Sequence, residues 1–340
     1  MFIINMEEFV YKSKILCELY CKWSHVIHPK FRKEILRRKE FNLFDYKGIS
    51  QPLPKVYDEI CTDNNCFGIG YSIRQYAGFK KPFIDGWIEH GYFYADAISE
   101  LAAVSFTKNI LTFGRHREEV NHKLLPEKNC FTIGPYVHYA KDYVSEAEFM
   151  QIKRKLGKVL LVFPIHSGTG EKVLYEKEEL FKIVERKASG FDTVLFSLFW
   201  SDINEEYATD IEKRGYKIVC SGHRFDPFFL CRQRTIINLA DVTMSNGLGT
   251  NLVYCTYFKK PHWLVRQEAK TISLDKTGDK HKEFEEKNKN NSSIDSLLYD
   301  AFDGYSEILT DKQYQLCSDL FGFEDIKKPE EMKQLLTSLR

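Results

Sequence analysis

The chain has 340 residues, 43% hydrophobic and 29% charged, enough apolar material for two globular domains and too much for a disordered chain. Lys and Arg (49) nearly balance Asp and Glu (48), which excludes nucleic-acid binding driven by bulk positive charge. Nine scattered cysteines, with no C-x-x-C pair, fit neither a disulfide framework nor a zinc knuckle, so a reducing, cytoplasmic setting is expected. The opening MFIINMEEFVYK has acidic residues where a signal peptide needs an apolar core. No run reaches the roughly 18 apolar residues that cross a bilayer. Aromatic residues, at 14%, suit sugar-stacking surfaces, although aromatic cores are the plainer reading.

In chain order, residues 6–41 read as helical with a break at His28-Pro29. Their second part, KFRKEILRRKE (30–40), is strongly basic and is either a solvated helix face or a surface for anionic lipid headgroups. A helix is expected at 71–76 and strands at 82–89, 109–113 and 130–133, each ending in a polar turn that contains glycine. An amphipathic helix at 146–156 closes a first domain, residues 1–156. The second domain, 157–310, opens on VLLVFP (159–164), a continuous apolar run of the kind buried on both faces of a sheet. Helices at 177–187 and 204–214 alternate with strands at 193–199 and 217–220. Asp226-Pro227 carries the start signals of a helix running to Leu239. A last unit follows in DVTMSNGLGTNLVYCTYFKKP (241–261): strand 242–244, turn 245–249, helix 250–258, with HWL beginning the next strand. Residues 267–294 read as an exposed loop or helix, and 311–340 as C-terminal helices. The fold class expected is α/β, with two Rossmann-like domains facing a cleft.

Parallel sheets carry ligands at the carboxyl ends of their strands, so the turns there hold the candidate site. Ser245, Asn246, Gly247, Gly249 and Thr250 precede a helix N-terminus and form an anion seat, or alternatively a structural turn and cap. The glycines follow neither G-x-G-x-x-G nor a Walker pattern, which removes the commoner owners of such a turn. In SGHR, His223 and Arg224 are candidates to bond a diphosphate or ribose, whereas Asp226 is expected to cap the next helix. His166 and Ser167 end the first strand of the second domain and are further donor-binding candidates. In the first domain His90, at a strand end, suits a general base at neutral pH, with Asp85 and Glu89 as competitors. Arg115, His116 and Arg117 form a cationic cluster that either faces the diphosphate or is solvated. No metal set is evident; Asp202 in FWSDI stands alone in its turn. No cofactor is expected beyond a nucleotide-sugar substrate.

The segments FPIHS, DTVLFSLFWSDI, SGHRFDPFFLCR and the 241–261 stretch resemble the carboxyl domain of GT-B-type glycosyltransferases of bacterial surface polysaccharides (capsule and O-antigen). The IEHG and IGPYVHYA segments resemble motifs of the amino domain in the same group, and the likeness spans residues 67–265. The resemblance implies a cytoplasmic glycosyltransferase, in places peripheral to the inner membrane, moving sugar from a nucleotide donor to a glycan or lipid-linked acceptor. The Glu characteristic of retaining members is not evident before the phosphate turn, which points to inverting transfer, and the lack of an Asp-x-Asp-like set points to a metal-independent one. A nucleotide-sugar 2-epimerase, a non-catalytic nucleotide-sugar-binding partner and a teichoic-acid-type phosphotransferase are the alternatives.

Overall fold

The computed structural model of the chain describes residues 6–92, 94, 96–168, 171–273 and 293–339. Eight parallel strands form two sheets. The first holds β1 (Trp87–Ile88), β2 (Asn109–Thr112) and β3 (Asn129–Thr132) in sequential order. The second holds β4 (Val159–Phe163), β6 (Thr193–Ser197), β7 (Lys217–Val219), β8 (Val242–Ser245) and β9 (His262–Leu264) in the order β7-β6-β4-β8-β9. Counting only these strands, the order is third, second, first, fourth, fifth: the doubly wound Rossmann arrangement, with its switch between β4 and β8. The fold is α/β, with helices following the strands of both sheets.

The run VLLVF is apolar throughout because both faces of β4 are covered. Val159, Leu161 and Phe163 join a core shared with the helices Phe229–Leu239 and Thr250–Tyr257. Leu160 and Val162 alternate to the other side, against Leu180, Phe181 and Val184 of the helix Lys177–Ala188 and Tyr207 and Ile211 of the helix Glu205–Lys213. The first of these cores continues without a break into Ile88, Leu111, Phe113 and Ile133 of the smaller sheet, so one apolar cluster joins the two α/β units. The C-terminal helices Asp311–Phe321 and Pro329–Ser338 fold back onto the first unit: Cys317, Phe321, Met332 and Leu336 enter that cluster, and Lys81 Nζ donates to Thr337 O (3.3 Å).

Three expectations change. The strand foreseen at 82–89 is reduced to Trp87–Ile88, because Asp85 and Gly86 belong to the approach rather than the ladder. An antiparallel pair, β5 (Glu171–Tyr175) with β10 (Ala269–Ser273), occupies segments read as turn and loop; the rest of the loop, 274–292, lies outside the described residues. Asp226 does not cap the following helix, which starts at Phe229. Its Oδ1 accepts from Phe228 N (2.9 Å), and its Oδ2 is met by Arg232 Nη1 at 2.9 Å and Arg38 Nη1 at 3.4 Å.

Arg38 comes from the basic helix Phe31–Lys39, whose charge is therefore only partly a solvated face. Its guanidinium is 1% exposed and also bonds Glu34, Ile49 O and Gln51 O. Among the described residues no helix is long and apolar enough to cross a membrane.

Candidate functional site

The carboxyl ends of strands from both sheets converge. After β1 the chain runs through Glu89-His90-Gly91 to Tyr92, whose backbone N–H donates to Thr250 Oγ1 (3.0 Å), while Tyr94 OH donates to Gly249 O (2.9 Å). The first unit thus docks on the N-terminus of the helix that follows β8. Beside this contact a run of rings crosses between the units. Phe67 lies 6.1 Å from the ring of His90 and 6.3 Å from that of Phe199. Phe199 stacks on His166 at 4.2 Å, and the next residue, Trp200, packs on His223 at 4.2 Å. His90, His166 and His223, the ends of β1, β4 and β7, are brought into one aromatic neighbourhood.

Two of its members had no sequence signal. Phe67 sits in a short helical turn with φ +56°, followed by Gly68 at +67°. A left-handed conformation is costly for phenylalanine and cheap for glycine, and any Cβ on Gly68 would lie 2.3 Å from Pro227 O. The Phe67 N–H donates to Arg224 O (2.6 Å), so the strained turn is held by the SGHR loop. In the same turn, Asp63 places Oδ2 2.9 Å from His90 Nδ1 and accepts the Trp87 indole N–H (2.9 Å). Asp63 is buried and His90 about one-third exposed, so a buried carboxylate stands behind a partly exposed imidazole. Asp63 and Phe67 stand more than twenty residues before His90 with no motif linking them.

The remaining candidates separate by environment. Glu89 is 2% exposed and committed to the scaffold: Arg117 donates through Nη2 (2.6 Å) and Nε (3.2 Å), Asn121 through Nδ2 (3.2 Å), and Thr112 through its hydroxyl. That network commits the Glu89 carboxylate and the wholly buried Arg117 guanidinium to one another. Asp85 precedes β1, at the end of the sheet opposite His90, and pairs with Lys14 (2.5 Å). The triplet 115–117 does not act as one cluster. On a helix, consecutive residues point about 100° apart. Arg115 is solvent-exposed beside Glu119, and His116 Nδ1 meets Tyr92 OH at 2.6 Å. Burial and the neighbouring Arg117 lower the pKa of His116.

In the expected anion seat, Ser245 and Asn246 turn inward. Ser245 Oγ meets His262 Nε2 (3.0 Å). Asn246 accepts from Ile165 N (2.6 Å) and donates to Gln267 (2.7 Å), tying the exits of β4, β8 and β9 together. A Cβ on Gly247 would press on Ile165 (2.8 Å). These three are framework; Gly249 and Thr250, at the helix start, are the part that meets the other unit. Ser167 is likewise structural, with its N–H bonded to Asp202 (2.8 Å) and its hydroxyl accepting from Val173 N (3.2 Å), whereas His166 is exposed. Arg224 donates to Cys66 Sγ (3.3 Å) and lies over the Phe225 ring.

His223 is 5% exposed, and burial, with Arg38 and Arg224 nearby, lowers its pKa to about 4. Its Nδ1 accepts from Phe225 N (3.2 Å), which leaves Nε2 carrying the proton of the neutral ring. His262, enclosed between Thr243 and Ser245, is lowered by burial to about 3. Both folded values lie below the unfolded one, so the stability involved is complete above pH 6.5 and lost as pH falls towards 4 and then 3. The fall from 6.5 to about 4 for His223 alone corresponds to ~3 kcal/mol. Urea midpoints are expected to drop steadily between pH 6.5 and 4, and His262→Gln to flatten that slope; a midpoint constant over this range would refute the assignment.

Two surface hollows lie away from His90, His166 and His223. One of about 350 Å³ is lined by Tyr46, Gln51, Asn204 and Glu212, and one of about 720 Å³ by Tyr76, His138, Arg234, Tyr257 and Tyr314. Among the described residues no group of three or more His, Cys, Asp or Glu is placed to hold a metal ion.

No protein-family model and no curated protein sequence matches the chain. Among solved structures it is similar to UGT2 of Phytolacca americana complexed with UDP-2fluoro-glucose and pterostilbene, at 10% identity and TM-score 0.29, covering 68% of this chain and 48% of that one. It is similar to Os79 from O. sativa in complex with U2F and trichothecene, at 14% identity and TM-score 0.30 (70% and 52% covered). A UDP-glucose:anthocyanidin 3-O-glucosyltransferase in complex with UDP matches at 11% and 0.29 (81% and 64%). The chain spans about half the length of the first two. At such scores the likeness carries no weight of its own, and the α/β assignment rests on strand order and direction.

Proposed function

We propose that the protein transfers a glycosyl group from a nucleotide-activated sugar to a glycan or lipid-linked acceptor in the synthesis of a bacterial surface polysaccharide, by single displacement with inversion. The observation that carries this reading is the convergence of His90, backed by Asp63, with His166 and His223 at the carboxyl ends of two parallel sheets. With Asp63 on Nδ1, the His90 imidazole uses Nε2 to take the proton of the acceptor hydroxyl. The acceptor oxygen bonds to the anomeric carbon as the bond from that carbon to the phosphate oxygen breaks, and the electron pair leaves with the nucleoside diphosphate. Arg224, the neutral Nε2–H of His223 and the helix start at Thr250 offset the charge on that leaving group. No catalytic step is assigned to a metal ion.

The commitment of Glu89 to Arg117 and of Asp85 to Lys14 weighs against a 2-epimerase, which would need carboxylates around the sugar. A panel of UDP-, GDP-, CMP- and dTDP-sugars is the direct test. A true donor at ~100-fold its Kd adds about 2.7 kcal/mol to the folded state, visible as a raised melting temperature. His223→Ala should cut that shift. A protein unmoved by every member of the panel would end the donor assignment, and binding without release of free nucleotide would favour a non-catalytic partner.

A further inference from the structure

The helix Lys14–Ile27 is apolar on two sides. Cys17, Cys21 and Ser24 face inward, against Tyr57, Ile60 and Trp87. On the opposite side Ile15, Leu19, Trp23, Val26 and Ile27 fall within an arc of about 120° at helical spacing. These five are between 45% and 74% exposed. A surface helix ordinarily turns polar side chains outward; here Lys14, Glu18, Lys22 and His25 occupy only one strip between the two apolar sides, which leaves the outer stripe uncovered. Leu36, on the helix Phe31–Lys39, adds a further exposed apolar side chain from the next element, and Trp23 is stacked on Tyr20 (5.6 Å). The surrounding residues are cationic: Lys12, Lys22, Lys30, Arg32 and Lys33 are all exposed. Of the nearby acidic groups, Glu34 is shared by Arg37 and Arg38, Asp58 lies 2.9 Å from His25, Glu18 is half-buried and Glu40 is exposed, fewer than the basic side chains around them.

We infer that this face lies in the headgroup layer of an anionic lipid surface, with Ile15, Leu19, Trp23 and Val26 directed into the acyl boundary and the Lys/Arg rim on the phosphates. The rim argues for lipid over a second copy of the chain. A symmetric contact would set each basic rim against its twin. A helix of 14 residues also offers a stripe only about 21 Å long and, at roughly 10 Å wide, about 200 Å² per copy, against about 800 Å² per partner in a stable dimer. A narrow apolar stripe with a basic rim is the composition that lies in a membrane interface. The inference is independent of what the histidine site turns over.

Co-flotation of the full chain with phosphatidylcholine vesicles, with and without phosphatidylglycerol, tests it. Recovery with the anionic vesicles is expected to exceed that with neutral ones at least ten-fold and to collapse in high salt. The pair Leu19→Ser/Val26→Ser should abolish flotation at unchanged melting temperature, as both side chains are exposed, and Lys22→Ser/Lys30→Ser should weaken it. Absence of flotation with anionic vesicles would overturn the inference, as would flotation indifferent to Leu19→Ser/Val26→Ser. Light scattering that shows a dimer dissolved by that same pair would assign the face to a second copy instead.

Discussion

His90→Ala is expected to lower the rate of glycosyl transfer by 10²- to 10⁴-fold, about 3–5 kcal/mol of transition-state stabilisation, while leaving donor binding within a few-fold of the parent. The expectation rests on position. His90 ends β1 at the edge where the two sheets meet, Asp63 Oδ2 lies 2.9 Å from its Nδ1, and Phe67 separates its ring from Phe199 of the second unit. Asp63→Asn keeps an acceptor for the Trp87 indole but withdraws the charge behind the imidazole. It should reduce kcat less than His90→Ala does, with little change in KM. His223→Ala should act oppositely, raising KM for the donor more than it lowers kcat. The contrast separates a proton acceptor from a binding group. Near-normal kcat in His90→Ala would remove it as the base, and the carboxylates of β1 would not replace it, because Glu89 is locked to Arg117 and Asp85 lies at the far end of the strand.

What the sequence discloses follows from how local each feature is. VLLVF announces itself because a strand covered on both faces needs no polar residue, and the helices at 146–156 and 177–188 because their apolar faces repeat with the helical period. Histidines at strand ends are equally legible, since direction and order in a parallel sheet send those ends to one edge. Partnership across the chain is not. Asp63 reaches His90 from a helical turn far upstream, and nothing in DNNCFG marks it. Arg115, His116 and Arg117 read as one cationic patch, yet the helix distributes them to solvent, to Tyr92 and to the interior. Ser245 and Asn246 are right for an anion seat by residue type and still serve the framework. Side-chain amides and hydroxyls suit strand-exit bonding as well as they suit a phosphate. The pair β5/β10 joins segments nearly a hundred residues apart, too distant for turn chemistry to predict.

Asp226→Ala is expected to cost 3–5 kcal/mol of folding stability, the largest effect anticipated for any single substitution away from His90. The carboxylate is wholly buried and serves two buried guanidiniums: Arg232 from the helix Phe229–Leu239 that follows it, and Arg38 from the basic helix near the start of the chain. Both arginines have other partners. Arg232 Nη2 donates to Arg38 O (2.8 Å), and Arg38 Nη2 to Gln51 O (2.7 Å). The carboxylate is what separates two like charges in a medium that screens them poorly. Removing it leaves the two guanidiniums facing one another with Glu34, beside Arg38, as the nearest remaining carboxylate, whereas Arg38→Met/Asp226→Ala/Arg232→Met removes all three charges and should recover much of the loss. Asp226→Asn, which retains an acceptor for Phe228 N, should fall between. Urea unfolding of the four proteins reads this directly, and an Asp226→Ala within 1 kcal/mol of the parent would refute it. The same substitution should also reach the site. Asp226 closes the turn that carries His223 and Arg224, and its backbone N–H donates to His223 O (2.8 Å). Donor affinity is therefore expected to fall even where Asp226→Asn remains folded, which ties the stability of the join between the N-terminal helix and the second unit to the geometry of the phosphate side of the site.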